Sequence, residues 1–364
     1  MKPNYFENVH LLRGFAALSV VIYHVIEILP WKAFPMTPEP MLWFWVGWMG
    51  VDLFFVISGF VIALSAIKLL QTQPQTFGRT YLRHRAARIL PLHYLTMAVT
   101  IAFAGQALVG HPDFAKHLLT HVFMVHNLDL ATHGSINGAN WSVGTEAQFY
   151  VLVLLVVRWL AAVNPWRLLA TGILIAWAYR ATVVVVVGAG DGGVFPLFVY
   201  STQLIGMLDE FACGIFLARL VLDDGLADSP FPPFMRSPWF WAPGAVVVFW
   251  AMWRVYWPNA EYWNDWRMVT FFRTAIGVSF LFVVGTAVFV RVPDVLRRFV
   301  LPPFLYLGEI SYGIYLWHVG VISGLKRLGI ADPIWFLAAT LATVVALASL
   351  SWHLLERPLI RRFR

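Results

Sequence analysis

Apolar residues along this chain come in blocks about twenty long, separated by short polar stretches rich in Arg, Pro and Gly. A helix rises about 1.5 Å per residue, so such a block matches the hydrocarbon thickness of a bilayer. The pattern predicts ten spans, at 11–29, 42–67, 89–109, 141–161, 166–187, 200–221, 238–257, 270–290, 303–323 and 333–354. The expected class is therefore all-α, a polytopic integral membrane protein with a single transmembrane domain over 1–364. The first block ends in Pro30-Trp31-Lys32 rather than a small-residue cleavage site, and it reads as a retained span. No internal repeat or low-complexity tract interrupts the series.

Composition narrows the class further. The chain is 60% hydrophobic, 12% charged and has a mean hydropathy of +0.70, which excludes an ordinary soluble domain. An even number of spans puts both termini on one side. The segments on that side hold 17 Lys and Arg, from Lys2 to Arg364, against 8 on the other, which include Lys32, Lys116, Arg180 and Arg273. The positive-inside rule then makes both termini cytoplasmic and explains the net charge of +7 without nucleic acid. The expected location is the cell inner (plasma) membrane, multi-pass, with membrane lipid as a partner and the oligomeric state open. Cys213 is the only cysteine, so no intrachain disulfide forms. The 18 Trp fit interfacial belts and equally fit sugar-stacking surfaces. The longest outer loop, about 110–140, carries several His and the polar run HGSINGAN.

Ionisable residues inside these blocks are costly in lipid and mark function by default. Arg13 and His24 share the first block, eleven residues apart. That spacing is close to three helical turns, so both lie on nearly one face, about 16 Å apart along the axis. Arg13 falls near the inner surface and His24 in the outer half, where a neutral imidazole suits a general base acting on a substrate hydroxyl. Asp52 in the second span and Glu146 in the fourth are expected at similar depth. Each is a candidate to orient the imidazole, as the carboxylate of a triad does, or to fix helix packing. Ser58-Gly59 permit close backbone approach.

Arg79, Arg83, Arg85 and Arg88 cluster just before the third span. Arg85 and Arg88 share a helical face and suit bidentate phosphate binding, on the same side as Arg13. In the ninth span Ser311, Tyr315 and His318 form a polar stripe at i, i+4, i+7, which lines a cavity or sits at an interface. Asp209-Glu210 form a further acidic pair. An anion-binding inner end and an outer end with His and carboxylates together suit a reaction across the membrane.

The motifs in order resemble the acyltransferase-3 family of membrane-bound acyltransferases. They are Arg13…His24, FFVISGF (54–60), Arg85-Ala-Ala-Arg88, Trp141-Ser142…Glu146…Phe149-Tyr150 and Ser311-Tyr312…Tyr315-Leu316…His318. Glu210-Phe211…Gly214 and Glu356-Arg357-Pro358 add to the likeness. Gly144-Thr145 depart from the bulkier or acidic residues commoner there. The resemblance implies transfer of an acyl group, usually acetyl from acetyl-CoA, to a hydroxyl of an outward-facing glycan or lipid-linked sugar. It implies His24 as the catalytic residue, with Asp52 and Glu146 assisting. Arg13, Arg85 and Arg88 would hold the CoA end, with Arg83 and Ser58 beside them. Trp141, Ser311, Tyr315 and His318 would line the acceptor site. No metal is expected, and the form is the stand-alone one without an extracytoplasmic hydrolase domain. A glycolipid transporter or flippase is the competing reading, and a pH-sensing or scaffold membrane protein is a third.

Overall fold

The computed structural model describes residues 5–29, 38–104, 106–188, 193–226 and 228–363. Lys2, Pro30-Trp31-Lys32 and Arg364, used above in the topology, lie outside the described residues. Among the described residues there are helices and no strands. Ten helices of fifteen residues or more carry the architecture. They are α1 (Tyr5–Ile28), α2 (Gly50–Thr72), α3 (Phe77–Ala104), α4 (Trp141–Ala162) and α5 (Pro165–Val187), followed by α6 (Leu208–Leu222), α7 (Pro238–Tyr256), α8 (Arg273–Phe289), α9 (Ser311–Arg327) and α10 (Pro333–Ser351). Seven helical segments among the described residues are long and apolar enough to cross a membrane.

Local chemistry explains most boundaries. Asn164, Ser237 and Asp332 each accept hydrogen bonds from backbone N–H groups of the first helical turn. Each is followed by a proline, which gives up no needed donor at that position. Four expected spans prove to be broken or shifted. The second begins only at Gly50, after a short helix Pro38–Trp45 and a tight turn Gly47–Met49. The third begins at Phe77, so Arg79, Arg83, Arg85 and Arg88 lie within α3 rather than in a loop before it. The sixth is split into Val194–Ser201 and α6, and the ninth into Pro302–Glu309 and α9. Wide helical turns at Met268–Phe272 and Trp352–Glu356 adjoin α8 and α10. Turns of this kind frequently mark functional positions.

Large apolar side chains on α4, α5, α7 and α10 face outward, as in Leu155, Val185, Val246 and Leu350, and the centre of the bundle is α2 against α6. Gly59 and Gly214 make that crossing possible. A Cβ on Gly59 would overlap the Phe211 carbonyl oxygen, and one on Gly214 would overlap the Val56 carbonyl oxygen.

A buried ionic network ties α5, α6 and α8 together. The Arg180 guanidinium donates to Asp209 Oδ2 at 2.7 Å, to Thr274 Oγ1 at 2.9 Å and to the carbonyls of Thr270 and Gly206. Thr274 also donates to Asp209. Arg180 and Arg273, assigned above to the outer charge set, and Arg219, assigned to the inner one, are thus interior residues. Removing one partner leaves a buried charge uncompensated, which costs about 3–5 kcal/mol. Arg180→Ala is expected to lower the thermal unfolding midpoint in detergent far more than Arg158→Ala, whose side chain is exposed. Equal midpoints would contradict the network.

Candidate active site

Two cavities enter the bundle from opposite ends, and α1 borders both. The first, about 820 Å³, is lined by Arg13, Arg85, Arg88, Arg357 and Arg361 against Glu146 and Glu309, with Ser58, Tyr150 and Tyr312. The excess of guanidinium groups over carboxylates suits a polyanionic ligand. Arg13 Nε donates to Ser311 Oγ at 3.3 Å. Arg85 lies over the Tyr81 and Tyr150 rings and donates to Ser65 Oγ at 3.4 Å. Arg88 faces Glu356 at 3.6 Å and the Trp352 ring at 5.3 Å. Arg83 is not a lining residue: it is exposed, donates to the Arg362 carbonyl and stacks on Phe363.

The second cavity, about 490 Å³, is lined by His24, Glu27, Asp52 and Arg273 within a wall of aromatic rings that includes Trp48, Trp141, Phe198, Tyr256, Tyr262 and Trp263. Such rings offer apolar faces with polar tips. His24 Nδ1 is 2.9 Å from the Val20 carbonyl one turn back in α1. A carbonyl can only accept, so Nδ1 carries the proton and Nε2 presents its lone pair. His318 stands beside it, ring centroids 4.9 Å apart, with its own Nδ1 held in the same way by the Tyr315 carbonyl. Its Nε2 is buried without a partner.

On α4 and α9 the hydroxyls of Ser142 and Tyr315 meet, 2.7 Å apart. Tyr315 lines the aromatic cavity and Tyr312, one turn away on α9, lines the arginine cavity. Ser311, Tyr315 and His318 do form one stripe, and it faces α1 from Arg13 to His24.

The carboxylates are distributed differently from the expectation. Glu146 does not join His24. It accepts from Ser58 Oγ at 2.6 Å and from the Tyr150 hydroxyl at 2.9 Å, inside the arginine cavity. Glu146 is the sixth residue of α4, which starts at Trp141, whereas Asp52 sits in the first turn of α2. Asp52 shares the cavity with His24 but accepts from Arg273 Nη1 at 2.6 Å. The backbone carbonyl of Val20, rather than a carboxylate, fixes the imidazole. Arg273 and Tyr262 were not among the candidates, and Ser142 and Glu356 entered only as motif positions. Arg273 had been counted as a loop charge, although a cation at the edge of an apolar block is itself a functional signal.

The segment 111–140 contributes His133, Gly134, Gly138 and Ala139 to the aromatic cavity and carries further buried histidines. His121 and His126 stack with centroids 4.0 Å apart, and His93 lies 6.1 Å from His126. His126 Nε2 meets the Asn140 carbonyl and His93 Nε2 the His121 carbonyl. Burial lowers His121 to about 4, His126 to about 3 and His133 to about 4, so all three are neutral near pH 7.

A sequence profile of the acyltransferase-3 family, an acyltransferase domain, matches residues 6–353. The chain is 26% identical to ORF330 of the Acidianus two-tailed virus, provisionally named an acetyltransferase, over 91% of this chain and 87% of that one. It is 23% identical to the peptidoglycan O-acetyltransferase OatA of Listeria monocytogenes, over 98% of this chain and 56% of the relative. It is 22% identical to Nodulation protein 10 of Rhizobium leguminosarum, over 97% and 93%. The chain thus spans little more than half of the peptidoglycan relative's length. No solved structure matches.

The buried histidines of 111–140 carry a pH dependence. Folded-state values below the unfolded one, 6.5, mean that the unfolded chain binds more protons between about pH 6.5 and 4. Stability is then fully present above that window and is lost as pH falls through it. Each such histidine contributes a slope of up to about 1.4 kcal/mol per pH unit. Limited proteolysis of the 111–140 loop in detergent is expected to accelerate from pH 7 to 4.5, and less so in His126→Phe. A pH-independent rate would contradict this.

Proposed function

The chain belongs to the acyltransferase-3 family, and from that premise we propose that it transfers an acetyl group from acetyl-CoA to a sugar hydroxyl across the membrane. The observation that carries the reading is α1: its Arg13 opens to a cavity rich in guanidinium groups, and its His24 opens to an aromatic cavity at the other end. The two lie about 16 Å apart along the helix, a distance comparable to an extended pantetheine arm. Arg13, Arg85 and Arg88 hold the phosphates of the donor, with Arg357 and Arg361 at the mouth. Positive charge gathers at this end, which supports cytoplasmic entry of the donor and cytoplasmic termini.

In the aromatic cavity the acceptor is a glycan, a lipid-linked sugar or a glycosylated small molecule, seated on the rings. His24 Nε2 takes the proton from its hydroxyl as the oxygen attacks the thioester carbonyl. The carbon–sulfur bond breaks, and the thiolate leaves with the proton that His24 carried. The fixed Nδ1–H···O=C bond to Val20 keeps the reactive lone pair aimed, without an anionic partner. The peptidoglycan relative supports a sugar polymer as the acceptor class.

Two variant sets test this with purified protein and labelled acetyl-CoA. His24→Ala is expected to lower kcat at least about 100-fold with little change in donor KM. Wild-type turnover in that variant would remove His24 from the chemistry. Arg85→Ala and Arg88→Ala are expected to raise the acetyl-CoA KM by about tenfold or more each, while leaving the acceptor KM in place. Unchanged donor KM would contradict the arginine cavity as the CoA site.

A further inference from the structure

Three side chains on the wall of the aromatic cavity, Asp52, Tyr262 and Arg273, form with the buried Glu210 a cluster that the transfer step leaves unused. Arg273, at the start of α8, donates to Asp52 Oδ1 at 2.6 Å and to the Tyr262 hydroxyl at 3.4 Å, with its guanidinium over the Trp48 ring. Glu210, in the first turn of α6, is wholly buried and lies within hydrogen-bonding reach of Asp52. It is wedged there by α8, because a Cβ on Gly277 would stand 3.1 Å from Glu210 Cγ.

The charges do not balance as drawn. Two carboxyl groups face one guanidinium. As two anions, Asp52 and Glu210 have no hydrogen to exchange, and both Glu210 oxygens and Asp52 Oδ2 are left without partners. The surrounding elements supply no second cation. Asp209, beside Glu210 on α6, is committed to Arg180 and Thr274. Cys213 is a turn away on α6, and Tyr262 contributes only its hydroxyl. The other titratable groups on this cavity are His24, Glu27, Tyr23, His133, Tyr256 and Tyr315, and Arg273 is the only Lys or Arg among its described lining residues. An uncompensated buried carboxylate costs several kcal/mol, and a hydrogen bond removes most of that cost.

We propose that Asp52 and Glu210 share a single proton, and that this carboxyl pair positions Arg273 to give its remaining N–H to an uncharged oxygen of the bound substrate. One proton turns the contact between the two carboxyls into a hydrogen bond and leaves one negative charge opposite the guanidinium. Asp52 is then held against Arg273 Nη1, and the guanidinium, which lines the cavity, keeps N–H bonds beyond those given to Asp52 and Tyr262. Because Asp52 already matches the positive charge, this subsite selects a hydroxyl or an ester carbonyl over a carboxylate or phosphate. Glu210 is a positioning residue, since it acts through Asp52 and Arg273. The assignment of the ligand oxygen to the sugar acceptor rests on the transfer reading above, whereas the shared proton does not.

Infrared difference spectroscopy on the full chain in lipid nanodiscs tests the proton directly. The wild-type-minus-Glu210→Gln spectrum is expected to contain the carbonyl-stretch band of a protonated carboxylic acid, shifted by deuteration. Asp52→Asn is expected to lose the same band, because Glu210 then ionises against Arg273. Absence of the band from both differences overturns the shared proton. In kinetics, Arg273→Lys and Glu210→Ala are expected to raise the acceptor KM about tenfold without changing the acetyl-CoA KM, with Glu210→Gln restoring most of the loss. An acceptor KM unchanged in Arg273→Lys overturns the subsite. If the band is present but His24→Ala transfers acetyl at the wild-type rate, the transfer reading fails and the carboxyl pair stands.

Discussion

A charge placed inside a bilayer must be paired, neutralised or given water, and this constraint organises the molecule. The adjacent acidic residues of α6 show the two main solutions side by side. Asp209 is spent on Arg180, in a network that bolts α5, α6 and α8 together. Glu210, the next residue, is wholly buried and faces the carboxyl of Asp52, which lines a cavity. The first is a structural joint and the second part of a site, although the sequence writes them as one dipeptide. The close crossing of α2 and α6 at Gly59 and Gly214 brings both to the centre of the bundle.

The same constraint divides α1. Arg13 and His24 lie on one face, yet each faces a different solvent-filled space. Five arginines line the cavity at Arg13 and aromatic rings dominate the one at His24. α9 runs beside α1 and answers it residue by residue, with Ser311 to Arg13 and His318 to His24. Tyr315, between them, meets Ser142. Two cavities at opposite ends of the bundle thus both open on α1.

Much of this was legible in the residues, and the reasons are specific. Block length gave the helices, because each block had to satisfy its backbone in lipid. Helical spacing placed Arg13, His24 and the α9 stripe correctly, because those residues sit within single unbroken helices. The failures came where one helix meets another. Glu146 was expected beside His24 from its position near the start of a span, but α4, although it begins where expected, packs so that Glu146 meets Ser58 and the arginine cavity. Asp52 was expected to orient the imidazole, and Arg273 claims it instead. Arg273 was hidden because the wide turn Met268–Phe272 draws it from a loop position into the core. Which carboxylate meets which cation depends on helix packing, and no spacing within one segment encodes it.

The central claim is that donor and acceptor approach from opposite faces and meet at His24. Its most direct test uses proteoliposomes of uniform orientation, with radiolabelled acetyl-CoA confined to one compartment and a membrane-impermeant oligosaccharide acceptor confined to the other. The account predicts acetylated oligosaccharide only when acetyl-CoA is on the side of the arginine cavity and the acceptor is on the side of the aromatic cavity. Equal product with both substrates confined to the arginine side would contradict it.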